Sequence, residues 1–278
     1  MKYEIAVADP AKNITVFVLN HTADRVAAAR EILADRSLGA EQVGFVIPPD
    51  RAGGIWRLEM MGGEFCGNAA RSFGLFAARE QGLSGDQTVV IGMSGAAEDL
   101  PVRVNVEDGW AAVEVPGPLA VETLEFEGRL LPVYIFDGIT HVIAPDIPPD
   151  KKTCARIRAG IEGAFVRPSA GQFPAAGQPP ATGQPPAALG VLFYDTAAAF
   201  MRPAVYVYGT DSLVFESSCG SGSAALAVWK TQNQGDGEGA CAVRQPGGII
   251  EARVLWRGGG VRRISIGGAV HLSGRMFR

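Results

Sequence analysis

Short stretches in which hydrophobic and polar residues alternate dominate the chain and predict a β-rich protein. The stretches predicted as strands are residues 14–20, 102–107, 111–117, 131–138, 190–195, 204–209 and 249–258. Three other stretches have the hydrophobic spacing of helices, and they cover residues 23–36, 68–81 and 222–233. The first of these helices is expected to place Val26, Ala29 and Leu33 on one face.

The second and third predicted helices begin with similar motifs. "CGNAARSFGLFA" (66–77) and "CGSGSAALAVWK" (219–230) both place a cysteine, a glycine and a small polar residue at a helix start. Gly82 and Gly235 follow the two helices, as is typical of glycine just past a helix C-terminus. The repetition predicts an α/β (α+β) fold with two related halves, each a sheet wrapped around one helix.

The expected halves are residues 1–120 and 121–278, and the last strand is free to return to the N-terminal half. An insertion at residues 168–188 interrupts the second half, and most of it is the proline-rich repeat "GQFPAAGQPPATGQPPAA". Such a composition favours extended or disordered conformations and does not contribute to a packed core.

Composition and charge then narrow the class of partner. The net charge of −4 provides no basic field for nucleic acid or for an anionic membrane. The N-terminal stretch lacks the apolar core of a signal peptide, and no later run approaches the roughly 20 apolar residues of a membrane span. We therefore expect a cytoplasmic protein that acts on a small molecule, whose four cysteines stay reduced.

The chemistry of the two motifs follows from where their cysteines lie. A cysteine at a helix N-terminus experiences the positive end of the helix dipole, which favours the thiolate and lowers the thiol pKa. The free N–H groups of the same turn can hold a carboxylate. Cys66 and Cys219 are therefore predicted to be reactive, whereas Cys154 and Cys241 have no such helix start and are expected to be inert.

Two such motifs would suit a racemase that uses no cofactor. One thiolate would remove the Cα proton of an amino acid, the other thiol would return a proton to the opposite face, and donors around the carboxylate would stabilise the carbanion. A buried apolar role for each cysteine is the alternative. A metal site is disfavoured, because Cys66, Cys219 and His141 lack the short spacing of structural zinc ligands.

The two motifs resemble those of the diaminopimelate epimerase superfamily. Its epimerases carry "CGNGAR" and "CGTGA", where this chain has "CGNAAR" (66–71) and "CGSGS" (219–223). The resemblance covers most of the chain outside the insertion. It implies two pseudosymmetric α/β halves with mostly antiparallel sheets, Cys66 and Cys219 as the acid/base pair, and no cofactor or metal.

The resemblance also implies a set of substrate-binding residues. Gly67, Asn68, Gly220 and Ser221 match the groups that hold the substrate carboxylate, and Asn13 in "AKNITVF" and Gln42 in "EQVGFVI" match residues near the substrate. His141 in "GITHVIAP" is similar to the histidine that accompanies a glutamate in the epimerases, and Glu216 or Asp211 would supply that glutamate. The alternatives are a core histidine for His141, a turn asparagine for Asn13 and a helix N-terminal carboxylate for Glu216.

The chain departs from the diaminopimelate epimerases in places that bear on the substrate. The stretch "TDSLVFESSC" (210–219) lacks the arginine that binds the distal carboxylate in those enzymes, and Met60 lies near the place of a family asparagine. The versions "GGEFCGNA" and "ESSCGSG" look most similar to the histidine racemases that supply D-histidine for opine-type metallophores. That resemblance makes histidine the leading substrate.

Three other functions stay open at this stage. A diaminopimelate epimerase and a phenazine-biosynthesis-like isomerase share the predicted fold, although the latter generally lacks the cysteine pair. A redox-sensing binding protein would use Cys66 and Cys219 only to form a reversible disulfide. Exposed strand edges would allow a homodimer, and the sequence leaves the oligomeric state open.

Overall fold

The computed structural model of the chain describes residues 2–51, 53–165 and 186–278. They form two compact units, of which the first consists of Met1–Val115, Gly247–Ala252 and Ser265–Arg278, and the second of Pro116–Pro246 and Arg253–Ile264. The expected division at residue 120 thus differs from the end of the first segment at Val115, and two later segments belong to the first unit. The strand that ends at Val115 is followed by Pro116, which has no N–H to continue a ladder.

Seven strands and two helices make up the long first segment: β1 Glu4–Asp9, β2 Thr15–Val18, α1 Arg25–Ala34, β3 Gln42–Ile47, β4 Trp56–Met60, α2 Gly67–Glu80, β5 Asp86–Met93, β6 Leu100–Asn105 and β7 Trp110–Val115. Neighbouring strands pair antiparallel in β1–β2, β3–β4, β5–β6 and β6–β7. The β2–β3 and β4–β5 pairs are parallel.

The second unit contains β8 Ala120–Phe126, β9 Arg129–Ile135, β10 Ile139–Pro145, α3 Lys151–Phe165, β11 Ala188–Asp195, β12 Phe200–Val207, a 3₁₀ turn Tyr208–Thr210, β13 Ser212–Phe215, α4 Gly220–Thr231 and β14 Gly237–Gln245. Its strands pair antiparallel in β8–β9, β9–β10, β11–β12 and β12–β13. The β10–β11 pair is parallel.

The last strands of the chain are β15 Gly248–Arg257, β16 Gly260–Ala269, β17 His271–Leu272 and β18 Met276–Phe277. Strands β17 and β18 both pair antiparallel with β1, so the end of the chain closes the edge of the first unit. The predicted mixed fold of mostly antiparallel strands with few helices is confirmed.

Helix α2 is the central helix of the first unit. All its residues from Asn68 to Ala78 are buried, so every face of the helix contacts protein. The helix ends in a Schellman arrangement, in which Gly82 (φ +67°) donates to the Arg79 carbonyl and Leu83 donates to the Ala78 carbonyl. The predicted glycine stop at Gly82 is therefore confirmed.

The predictions for the other two helices need correction. Helix α4 ends at Thr231, so Gly235 (φ +78°) lies in the following turn and does not stop the helix. Helix α1 buries Ala28, Ala29 and Ile32, whereas the predicted face residues Val26 and Leu33 are exposed. The spacing of apolar residues therefore predicted the position of α1 correctly, but the prediction of which residues it buries was wrong for Val26 and Leu33.

Helix α3 was not predicted from the sequence. Asp150 precedes it and accepts hydrogen bonds from the N–H groups of Lys152 and Thr153. The helix then buries Cys154, Ile157 and Ile161 in a core formed with the strands of the second unit. Cys154 thus lies in the core of the second unit.

The predicted insertion at residues 168–188 falls largely outside the described residues. Its end needs correction, because Ala188 is the first residue of β11 and pairs with Val207 of β12. None of the described helices is both long enough and apolar enough to cross a membrane.

Candidate active site

The two predicted cysteines occupy equivalent backbone positions at the starts of their helices. Cys66 is the N-cap of α2 with φ −132° and ψ 112°, and Cys219 is the N-cap of α4 with φ −127° and ψ 117°. Each carbonyl accepts the first intrahelical hydrogen bond, from Ala70 in α2 and from Ser223 in α4. The N–H groups of the first helical residues, 67–69 in α2 and 220–222 in α4, therefore make no backbone hydrogen bond within the helix.

Cys66 is hydrogen-bonded to one polar side chain and one backbone N–H of the first unit. In its thiol form Cys66 Sγ donates to Gln42 Oε1 at 3.2 Å, and Sγ accepts from the N–H of Ala69 at 3.5 Å. Gln42 is the first residue of β3, and its Oε1 lies 3.4 Å from the Thr15 hydroxyl of β2. The parallel pairing of β2 with β3 therefore places Gln42 beside the cysteine.

A second hydrogen-bonded group lies at the same helix start. Asn68 Nδ2 donates to Asn13 Oδ1 at 3.2 Å, and Asn13 Nδ2 donates to Glu41 Oε2 at 2.7 Å. Asn13 follows two residues, Ala11 and Lys12, that both have φ of 64°, so a tight left-handed turn presents it. Asn13 and Asn68 are buried, and these two predicted site residues are brought into contact.

Gly67 lies in close contact with two side chains at the start of α2. A Cβ at this position would lie 2.8 Å from Ile266 Cδ1 and 2.9 Å from Val115 Cγ1. Glycine therefore lets the first turn of the helix pack directly against these two side chains.

Cys219 has a corresponding set of partners within the second unit. Its backbone N–H donates to Gln245 Oε1 at 2.8 Å, and Gln245 Nε2 donates to Ser223 Oγ at 3.0 Å. Ser223 in turn donates to the Cys219 carbonyl at 2.7 Å. Gln245 at the end of β14 thus clamps the backbone that carries the cysteine.

The side chains of Cys219, Ser221 and His141 form a hydrogen-bonded series. Ser221 Oγ lies 3.6 Å from Cys219 Sγ and 2.9 Å from His141 Nε2. The His141 ring has no exposed surface, and burial lowers its pKa to about 3. Gly190 of β11 makes room for the ring, since a Cβ there would lie 2.2 Å from His141 Nδ1.

The two acidic residues considered near Cys219 lie in different surroundings. Glu216 is near enough for its charge and its hydrogen bond to raise the pKa of the Cys219 thiol. Asp211 lies in an exposed turn with φ of 47°, where it accepts a hydrogen bond from the Tyr206 hydroxyl at 2.5 Å. Glu216 is therefore the acidic neighbour of this cysteine.

The expected lowering of the cysteine pKa values is wrong. Burial raises the pKa of the Cys66 thiol, and the N–H groups of Ala69 and Asn68 act in the opposite direction without reversing it. Burial, followed by the charge of Glu216, raises the pKa of the Cys219 thiol well above its ordinary value. Removal from water therefore outweighs the helix terminus at both positions.

Three residues of these clusters were missed in the sequence analysis, among them Arg71, whose Nε donates to Asn68 Oδ1. Glu41 directly precedes Gln42, and Arg71 belongs to the "CGNAAR" motif, so both stood next to predicted residues. Gln245 lies 26 residues from Cys219 and carries no local signal. All four cysteines are free, and among the described residues no three His, Cys, Asp or Glu side chains are grouped so that they could hold a metal ion.

Comparison with known proteins identifies the family. Residues 4–276 match the family described as histidine racemase CntK N-terminal domain. The chain belongs to this histidine racemase family. The resemblance to the diaminopimelate epimerase superfamily is thereby confirmed, and the chain is an isomerase.

Two relatives of the histidine racemase family illustrate the match. A histidine racemase from Fusobacterium nucleatum subsp. nucleatum is 31% identical over 229 residues, which cover 80% of this chain and 78% of the relative. A histidine racemase from Staphylococcus aureus (strain Mu50) is 27% identical over 255 residues, with 89% and 86% coverage.

Solved structures share the fold of this histidine racemase family member at low identity. A hydroxyproline epimerase from Agrobacterium vitis with bound trans-4-hydroxy-L-proline aligns with a TM-score of 0.59 and 12% identity over 99% of this chain and 91% of that chain. A phenazine biosynthesis protein of the PhzF family from Enterococcus faecalis gives a TM-score of 0.54 and 12% identity over 99% and 98%. These likenesses establish the fold alone.

Proposed function

We propose that this chain is a cofactor-independent amino-acid racemase that interconverts L-histidine and D-histidine. The observation that carries the proposal is the match to the histidine racemase family over residues 4–276. The cysteines at the two helix starts support the same conclusion, because each stands beside polar groups that suit an amino-acid carboxylate.

In the proposed reaction two cysteines exchange a proton with Cα. One of Cys66 and Cys219 enters as the thiolate and takes the Cα proton, so that the C–H electron pair stays on carbon as a carbanion. The other cysteine enters as the thiol and gives its proton to the opposite face of the same carbon. Each turnover leaves the first cysteine protonated and the second ionised, which is the state that starts the reverse reaction.

The carbanion needs stabilisation, because an α-carbon proton is far less acidic than a thiol. We assign this task to the backbone N–H groups at the two helix starts, at Gly67 and Asn68 and at Gly220 and Ser221. Charge that moves into the substrate carboxylate would be held there by donors whose positions are fixed before the reaction begins.

The raised thiol pKa values are compatible with this chemistry. A thiol whose pKa lies above neutrality is a strong base once it is ionised, and a strong base is what removal of a Cα proton requires. At Cys219 the Ser221 hydroxyl opposes the effect of burial and of Glu216, so it favours the thiolate. Asn13, Gln42, His141 and Glu216 are proposed to hold the substrate or to support the residues that do.

Incorporation of solvent deuterium tests the proposal directly. The purified protein, without added cofactor and with a metal chelator, is incubated in D₂O with each common L-amino acid and with diaminopimelate. We expect D-histidine labelled at Cα, and we expect Cys66→Ser and Cys219→Ser to abolish turnover while Cys241→Ser retains it. Labelling of a different amino acid would overturn the choice of histidine.

The same experiment distinguishes histidine racemisation from each competing function. A redox-sensing protein would incorporate no deuterium into any amino acid, and a diaminopimelate epimerase would label diaminopimelate. A phenazine-biosynthesis-like isomerase would be inactive on all these substrates and indifferent to both serine substitutions.

We further propose a cytoplasmic location and a role in supplying D-histidine for an opine-type metallophore. Reduced thiols require a reducing compartment, and the resemblance to metallophore-pathway racemases supports the role. A deletion strain should lose the metallophore, and added D-histidine should restore it. Restoration by L-histidine alone would contradict this role.

A further inference from the structure

Arg71 is buried without an ion-pair partner. Its side chain has no exposed surface, and no carboxylate in residues 2–51, 53–165 or 186–278 forms a salt bridge with it. Burial lowers the pKa of its guanidinium to about 10. A charged group is seldom fully buried unless it is paired, because its removal from water costs free energy. The burial of Arg71 therefore indicates a role that a neutral side chain would not perform.

The donors of Arg71 point in two directions. Nη1 donates to the carbonyls of Gly268 at 2.9 Å and Ala269 at 3.3 Å, which anchors the guanidinium to the end of β16. Nε donates to Asn68 Oδ1 at 3.2 Å. The anchored side of the guanidinium therefore holds Nε in place against the oxygen of Asn68.

This contact begins a directed series of hydrogen bonds. Arg71 donates to Asn68, Asn68 donates to Asn13, and Asn13 donates to Glu41. A side-chain amide has a donor end and an acceptor end, so each link decides which way the next amide points. In this series both amides have Nδ2 on the Glu41 side and Oδ1 on the Arg71 side.

The two ends of the series differ in how firmly they set that direction. An arginine side chain has no acceptor and stays protonated, so it can only donate. A carboxyl can donate once it is protonated, and burial raises the pKa of Glu41. Arg71 is therefore the end that enforces the orientation under all conditions.

We infer that Arg71 is a positioning residue that fixes the side-chain amide of Asn68 with its Nδ2 group available at the Cys66 helix start. Within the described residues no hydrogen bond uses the second hydrogen of Asn68 Nδ2, so that hydrogen is left for a substrate carboxylate. This inference rests on the proposed function, in which backbone N–H groups at Gly67 and Asn68 hold that carboxylate, and it adds the Asn68 side chain to them.

A double-mutant cycle tests the inference. We expect Arg71→Met to lower kcat/KM for histidine about tenfold, because the buried Asn68 Oδ1 loses its donor and the amide is free to turn. In the Asn68→Ala background the same substitution should change kcat/KM by less than about twofold, since the group through which Arg71 acts is already gone. The exposed Arg79→Met on the same helix should leave kcat/KM unchanged.

An equal loss from Arg71→Met in both backgrounds would overturn the inference, because it would show that Arg71 only supports the fold. If Arg71→Met does not fold, Arg71→Lys takes its place in the cycle, as it keeps the charge but lacks the fixed donor of a guanidinium. The same criterion applies to that variant.

A measurement that does not depend on activity separates this inference from the proposed function. In protein labelled with ¹⁵N-asparagine, the Asn68 side-chain amide is identified by its absence from Asn68→Ala. We expect two well-separated, slowly exchanging hydrogen resonances that merge or exchange faster in Arg71→Met. An unchanged signal would overturn the positioning role, whereas a protein that racemises no amino acid would overturn only the proposed function.

Discussion

The His141 ring and the Ser221 hydroxyl form a hydrogen bond of 2.9 Å whose direction can be derived from the ring's surroundings. His141 Nδ1 is buried without a hydrogen-bond partner among the described residues. A buried N–H without an acceptor is rarer than a buried acceptor without a donor, so the neutral ring carries its proton on Nε2. His141 then donates to Ser221 Oγ, and the serine hydrogen is left to point toward Cys219 Sγ.

Replacing His141 should therefore weaken the support of Cys219. We expect His141→Phe, which keeps a planar ring but removes the donor, to lower kcat/KM for histidine about tenfold. The matched control is His21→Phe, because His21 is exposed and lies in the first unit. Steady-state kinetics at one pH checks the prediction, and equal activity of the two variants would contradict it.

The buried histidine should also make stability depend on pH. The folded pKa of about 3 lies below the unfolded value of about 6.5, so the unfolded chain binds one more proton between these limits. The contribution of His141 to the free energy of unfolding is therefore fully present above pH 6.5. It is lost as the pH falls toward 3, by about 1.4 kcal/mol per pH unit.

Urea unfolding at pH 7.5, 6 and 5 of the wild type and His141→Phe isolates this contribution. The wild type should lose more of its free energy of unfolding than the variant as the pH falls, since carboxylates contribute equally to both. Parallel pH dependences would show that folding does not shift the pKa of His141, and they would contradict the lowered value.

The two thiols should be mostly protonated at neutral pH. Because burial raises the pKa of Cys66 and of Cys219, iodoacetamide should modify both slowly at pH 7.5 and faster as the pH rises to 9.5. Mass spectrometry of the modified peptides follows each cysteine separately, and Cys66 should react faster because it keeps partial exposure. A rate that is already constant below pH 8 would contradict the raised pKa values.

These thiols also show which part of the site a sequence can reveal. The cysteine, the glycine and the helix that follows are contiguous, so both N-caps were predictable from local pattern. The pKa direction was not, because burial depends on the strands and helices that pack around the sulfur. A local argument from the helix terminus therefore gave the wrong sign.

The same distinction applies to the fold and to the supporting residues. Helix α3 was missed because its two glycines and charged residues weaken the helical pattern, although Asp150 and the spacing of Cys154, Ile157 and Ile161 carried a signal. The contact of Cys219 with Gln245 joins the start of α4 to the end of β14, 26 residues away, and leaves no trace in a short stretch of sequence.

The last prediction concerns that contact between Gln245 and the backbone of Cys219. Gln245→Leu would leave the buried N–H of Cys219 without its acceptor and Ser223 Oγ without its donor, so the free energy of unfolding should fall by about 1 to 3 kcal/mol. Gln245→Glu keeps an oxygen that accepts from the Cys219 N–H, so its free energy of unfolding should fall less than that of Gln245→Leu. Urea unfolding measures both variants against the exposed control Gln232→Leu, and a loss no greater than that of the control would show that the clamp contributes nothing to stability.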